Sequence, residues 1–493
     1  MKCSRMISFL MAVIIISLAF VGCSKIDKNA CIYFDLNTPP LNLDAQTAQS
    51  DSELVIVRNI YEGLLRKDSS GKIVCGVSES YEKDGNTYTF KLKNNVKWSN
   101  GDKLTADDFL FAFQRAVDPK TKAPFVSRLF SIKGAEKIYS GQADMSHLGV
   151  EAEGKYTLKI TLDYDDPDFC QTLTSSICMP CNRSFFEEST GKYGLERDYI
   201  LSNGSYILTR WNKEDFGIRL YKNEDYSGEF EAKNGSVFIS CRHDEDTAEL
   251  LYGNKVDIAF ITNNEAGNFN RKGVTIKSYQ NICWVLHISE EYDPDIRTAL
   301  AMLVSDRGYS DELGKGYKAS SSIYPDVLGI EDAVGEGIKD YNLEAAQQLF
   351  SDAVKKYEDK KFPSAVLYYY DNSSIKSAVT AVVGHWQQKL SAFVNIKKAN
   401  SLETLISDVR QNQVPFAIYP ITAKSGSVKE YLSNFGMSGD KSNAVNIQKQ
   451  ILAEDTIIPL AFEDTNIGYT PLITEFKSDA FNGHIDFSFI TKK

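Results

Sequence analysis

Residues 76–119 read GVSESYEKDGNTYTFKLKNNVKWSNGDKLTADDFLFAFQRAVDP, and this stretch decides the fold. Tyr88, Phe90 and Leu92 alternate with Thr87, Thr89, Lys91 and Lys93, the pattern of a half-buried strand. Asp84-Gly85 before it and Asn100-Gly101 after it reach positive φ cheaply and predict tight turns. A helix then begins at Thr105, an N-cap with Asp108 three residues on to close a capping box. Asp107 and Asp108 suit the positive first turn, and Leu104 with Phe109 form a hydrophobic staple. Phe109, Phe113 and Val117 repeat every four residues and bury one face, until Asp118-Pro119 stops the helix.

Outward from this unit, the amino terminus reads as a targeting segment. Lys2 and Arg5 precede the uncharged run of residues 6–21, and Phe20-Val21-Gly22-Cys23 follows. That order matches the lipobox of bacterial lipoproteins, with removal of residues 1–22 and a lipid on Cys23. The run falls short of the ~20 residues a membrane helix needs. The expected location is therefore extracytoplasmic, with the lipid on Cys23 as the only tie to the membrane. The 493 residues exceed what one core usually serves, so several lobes are expected. A net charge of −11, more negative once Lys2 and Arg5 leave, argues against binding nucleic acid or an anionic membrane. Seven cysteines remain after Cys3 and Cys23 are set aside (Cys31, Cys75, Cys170, Cys178, Cys181, Cys241 and Cys283), and an odd number cannot pair completely.

The order W-S-N-G-x-x-L-T-A-D-D-F, then F-Q-R, then V-D-P resembles the defining stretch of the family 5 bacterial solute-binding proteins, the extracytoplasmic receptors of oligopeptide and dipeptide ABC importers. Further strings carry the same likeness: Leu43-Asp44, Tyr61-Glu62-Gly63-Leu64-Leu65, Leu148-Gly149-Val150, Ser202-Asn203-Gly204-Ser205-Tyr206, Val256-Asp257-Ile258 and Ile296-Arg297-Thr298-Ala299-Leu300. Ala45 and Ser205 stand where the family usually has proline. The resemblance implies an α/β, periplasmic-binding-protein-like clamp of two lobes (class II, cluster C) with an additional inserted α+β domain. Its expected division is 23–61 for the first part of lobe I, 62–181 for the insertion and 182–288 for the return to lobe I. Residues 289–469 would form lobe III, and 470–493 would close lobe I.

Local patterns fill in the elements. Residues 52–65 predict a helix carrying Leu54, Ile56, Val57, Ile60 and Leu64. Residues 246–252 predict a short helix with Gly253 as its left-handed C′ residue. Residues 366–370 read as a strand and 375–390 as a helix with Val379, Val382, Val383, Trp386 and Leu390 on one face, an alternation that predicts a mixed α/β lobe.

Catalytic signatures are absent: no HExxH, no GxSxG and no complete phosphate loop. Cys178-Met179-Pro180-Cys181 lacks the βαβ context of a redox site and the second pair of a zinc site. The expectation is a binding protein without covalent chemistry, metal or cofactor. A thiol–disulfide protein using Cys178 and Cys181 and an adhesive lipoprotein with a dead cleft stand as alternatives.

Family members close two lobes on an extended peptide, and peptide binders hold the ligand's α-ammonium with an aspartate in W-x-x-D-Y-x-(D/E)-P. Here the corresponding segment is Tyr419-Pro420-Ile421-Thr422-Ala423-Lys424-Ser425-Gly426-Ser427, without tryptophan or aspartate. An unpaired buried ammonium costs several kcal/mol. Either another acid supplies the charge, or the ligand is a non-peptide solute or signal. The resemblance places Gln49, Phe125, Tyr419, Thr422 and Lys424 as candidate ligand contacts, and Trp284, on the strand expected to enter the hinge, joins them. The implied partners are a peptide or other small solute and the permease and ATPase subunits of the importer, with the receptor itself a monomer.

Overall fold

The computed structural model describes residues 30–36, 38–212, 217–241, 245–263, 265–269, 271–314, 316–370, 375–478 and 485–493. The leader and Cys23 lie outside the described residues. The decisive stretch forms as its pattern dictates. Strands Ser78–Asp84 and Thr87–Leu92 turn at Gly85 (φ 56°), and Tyr88, Phe90 and Leu92 are buried. The helix Ala106–Val117 follows, with the Thr105 N–H bonded to Asp108 Oδ2 at 2.7 Å. Burial pushes the Asp108 carboxyl up to about 6 against the hydrogen bonds from Thr105. With Thr157–Thr161 and Val150–Ala152 the two strands make an antiparallel four-stranded sheet. Phe109, Phe113 and Val117 share its core with Phe90, Leu158 and Ile160.

The rest of the chain is built on one eleven-stranded mixed sheet. From one edge the order is Val394–Lys398, Ala365–Tyr369, Phe416–Thr422, Thr275–Ile288, Ile457–Tyr469, Ile258–Ile261, Cys31–Asp35, Ser236–Ser240, Ile218–Lys222 and Tyr206–Trp211, with Tyr317–Ala319 beside Ile457–Tyr469. Its middle is an antiparallel pair of long strands, 14 and 13 residues, that runs from one lobe into the other. The residues 275–280 end lies with Ile258–Ile261 across its partner, whereas the 282–288 end pairs with Phe416–Thr422. Asn281 bulges between these halves. It is fully buried: its carbonyl accepts the Ala423 N–H at 2.8 Å and its Oδ1 the Thr465 hydroxyl at 2.8 Å.

Hydrophobic burial divides at the same place. One cluster unites Ile32, Ile56, Phe90, Phe109, Leu208 and Ile258. Beyond the bulge, alternate residues face opposite ways. Trp284, Leu286 and Ile288 pack with Trp386 and Phe416, whereas Cys283 and Val285 pack with Tyr419, Ile421 and Tyr431. Strand Ala365–Tyr369, helix Lys376–Leu390 and strand Val394–Lys398 form a parallel βαβ unit, as the alternation predicts.

Two helix ends differ from expectation. The first helix runs Asp51–Ile60, not to Leu65, because the Ile60 carbonyl is taken by the N–H groups of Asn203 (3.0 Å) and Gly204 (2.9 Å). A Cβ on Gly204 would sit 2.9 Å from the Ile60 carbonyl carbon, so only glycine permits this crossing. The helix Thr247–Tyr252 ends with Gly253 right-handed (φ −77°), and Asn254 takes the left-handed position instead (φ 51°).

Candidate ligand-binding cleft

A chamber of about 1410 Å³ lies between the lobes, with the long strands as its floor. This exceeds the ~300–1,000 Å³ of ordinary small-molecule pockets. One wall is the N-terminal end of the helix Asp51–Ile60 and the loop before it. Glu53 ties the two together: Oε1 accepts from the N–H groups of Leu41 (3.2 Å) and Asn42 (2.9 Å), Oε2 from those of Gln49 (3.0 Å) and Ser50 (3.1 Å). Gln49 and Asp51 line the chamber from this wall. Asp51 is open to cleft water but enclosed by both lobes, and this desolvation raises its carboxyl while the charge of Lys424 opposes the rise.

The facing wall is Phe416–Thr422 and the loop after it. Strand Ala365–Tyr369 covers its outer edge only as far as Ile418, whose carbonyl accepts the Tyr370 N–H at 3.0 Å. The register with Thr275–Ile288 turns the backbone groups of Pro420 and Thr422 to the uncovered edge. Proline is tolerated at 420 because its missing N–H removes no ladder bond there.

The roof comes from the segment after the helix Ala106–Val117. Phe125 receives two cations over its ring, Arg128 at 4.4 Å and Lys424 at 5.3 Å from the centroid. Arg128 also pairs with Glu430 of the short helix Val428–Leu432 on the facing wall. Ser427 donates to Asp168 (2.5 Å), and Lys429 lies 3.4 Å from Asp166. These contacts span the mouth and hold the lobes together.

On the floor, Glu463 accepts from Trp284 Nε1 (2.7 Å) and Asn263 Nδ2 (2.9 Å), and Asn263 Oδ1 accepts from Asn466 (2.7 Å). Burial raises the Glu463 carboxyl against these hydrogen bonds. Asp464 beside it is raised by burial and then by the charge of Asp326.

Of the candidate contacts, Gln49, Phe125, Tyr419, Thr422 and Lys424 line one chamber, drawn from three distant parts of the chain. Trp284 does not: its indole is fully buried and acts on the floor only through Glu463, so a direct contact gives way to a supporting one. Sequence reasoning passed over Asp51, Arg128, Arg410, Glu430 and Asp464, which also line the chamber. Arg128 had a usable signal, a cation three residues beyond the cleft-facing Phe125.

The thiols of Cys178 and Cys181 are unpaired and buried. Burial pushes them up to about 12 and about 11 respectively, far from the thiolate that redox exchange requires. Among the described residues no helix is long and apolar enough to cross a membrane.

Residues 72–443 match the profile of "Bacterial extracellular solute-binding proteins, family 5 Middle". The chain is 29% identical over 279 residues to a dipeptide-binding protein of Lactococcus lactis, covering 55% of this chain and 51% of that one. It is 26% identical over 398 residues to the oligopeptide-binding protein OppA of Bacillus subtilis, covering 73% and 69%. The fold is similar to that of Listeria monocytogenes OppA bound to peptide, with a TM-score of 0.76 at 20% identity over 94% of this chain and 100% of that one. This likeness meets the expectation of a two-lobed clamp. The relatives are solute-binding proteins and not enzymes, as expected from the missing catalytic signatures.

Proposed function

Because the chain belongs to the bacterial extracellular solute-binding proteins of family 5, we propose that it captures an extended peptide between its lobes and delivers it to an ABC importer. The observation that carries this reading is the chamber of about 1410 Å³, walled by both lobes and floored by the two strands that join them. An occupant touching both walls favours the closed arrangement and so drives closure. The uncovered edge at Pro420 and Thr422 offers backbone groups to an extended ligand, in the manner of strand addition. Gln49, Phe125, Tyr419, Thr422 and Lys424 would contact the ligand, and Asp51 or Asp464 would meet any ammonium it carries. The receptor acts as a monomer tethered through lipid on Cys23, with residues 62–181 as the inserted domain and 289–469 as the third lobe. Permease and ATPase subunits complete the importer.

Calorimetry of the full chain with mixed tri- to pentapeptides tests the reading. Saturable heat with a matching rise in melting temperature is expected. Silence in both, with every peptide pool, would sink it and leave a non-peptide solute as the ligand.

A further inference from the structure

Where the cleft meets the four-stranded unit, it opens into a smaller side chamber of about 120 Å³. The residues that line it all carry polar side chains, and its acids already have partners. Glu430 pairs with Arg128 and accepts the Ser425 hydroxyl at 2.6 Å. Asp168 accepts from Ser427, and Asp166 lies beside Lys429.

Two donors in this lining carry the argument. Lys424 borders both the cleft and the side chamber. Its half-buried ammonium lies over Phe125 and feels the charge of Asp51, but it makes no hydrogen bond and no ion-pair contact. Ser131 is 2% exposed, and its hydroxyl has no partner. Leaving a buried hydroxyl unpaired costs about 1–3 kcal/mol, so such a group calls for an explanation. An ammonium offers donors only, and the orphan hydroxyl can donate as well. The group that satisfies both is a compact acceptor with negative charge.

We propose that the side chamber receives a carboxylate of the ligand, held by Lys424 and Ser131 with Arg128 alongside. The proposal rests on the peptide-receptor reading and orients the guest, with its acidic end at the pole built by residues 423–430. A charged acceptor on a charged donor is the stronger class of hydrogen bond.

The test measures affinities of the full chain for peptides as free acids and as C-terminal amides. A third set is amidated but carries one glutamate, and glutarate serves as a non-peptide carboxylate. Free acids are expected to bind about tenfold tighter than amides. Lys424→Gln should collapse that ratio towards one, Lys424→Arg should retain most of it, and Ser131→Ala should lower free-acid affinity a few-fold. A preference restored by the glutamate in the amidated set assigns the chamber to a side-chain carboxylate; otherwise the terminal one occupies it. Equal binding of acids and amides by the unaltered protein, or a ratio untouched by Lys424→Gln, overturns the carboxylate site while the peptide reading stands. Glutarate stabilising the unaltered protein but not Lys424→Gln, with no peptide binding, keeps the site and removes the peptide. No response to either class removes both.

Discussion

Arg115 and Arg128 each meet a carboxylate and each lie over an aromatic ring, yet on opposite terms. Arg115 Nη2 is 2.6 Å from Asp44 Oδ2, with side chains 9% and 7% exposed, and its guanidinium lies 4.0 Å from the Phe186 ring centre. Gln46 and Cys181 accept from its Nη1. Arg128 meets Glu430 from 302 positions away, and the pair is more open at 15% and 22%. The first pair is sealed where the loop around Asp44 packs on the helix Ala106–Val117. The second crosses the mouth of the cleft and exists only while the lobes are together. The same chemistry is thus scaffold in one place and clasp in the other, and burial together with which bodies it joins sets the role.

That contrast can be broken most forcefully at Arg115. Arg115→Ala leaves Asp44 buried without its partner and should cost about 3–5 kcal/mol in urea unfolding. A loss below 1 kcal/mol would mean the sealed pair is no more structural than the clasp.

Protonation separates the two regions next. His287, in the half of the long strand beyond the bulge, is held down to about 4 by burial, with the acceptor carbonyl of Thr456 opposing. The unfolded chain takes up that proton first, so stability falls as pH drops from about 6.5 to 4, by ~3 kcal/mol at most, and His287→Gln should abolish this slope. Asp108, beside Arg115's helix face, behaves in reverse. Its folded value of about 6 lies above the ordinary one of 3.8, so its contribution is full below pH 4 and lost as pH rises through 6. Asp108→Asn should therefore gain on the unaltered protein by up to ~3 kcal/mol between pH 4 and 7. Parallel slopes for the two variants would refute the assignment.

The smallest effect belongs to the clasp. Glu430→Gln should cost under ~1 kcal/mol of stability, since a partly exposed pair contributes little. Small-angle scattering should nonetheless show a larger radius of gyration for the unliganded protein. A stability loss as large as that of Arg115→Ala would erase the distinction between the pairs.

These regions also differed in how far the sequence disclosed them. Residues 76–119 carry turns, a cap and both periodicities within a few positions of one another, so local rules suffice. Asp44 and Arg115 each stood in recognisable strings, though their contact spans 71 positions and no local rule announces it. The cleft was legible mainly as departure: Lys424 drew notice because an aspartate was missing. Arg128–Glu430 depends on two segments brought together only by the completed fold. Trp284 is drawn under the floor by its hydrogen bond to Glu463, 179 positions away, which no local pattern announces. The first helix was overextended because its stop is a carbonyl claimed by Gly204, more than a hundred positions downstream.

The paired long strands bulging at Asn281 make the joint between the lobes an axle instead of two loose tethers. Such a joint resists sliding, because sliding would break a row of hydrogen bonds at once, but it yields to torsion. The bulk of whatever sits in the gap is thereby converted into an angle between the outer faces. A second protein that touches only those faces could read whether the gap is filled.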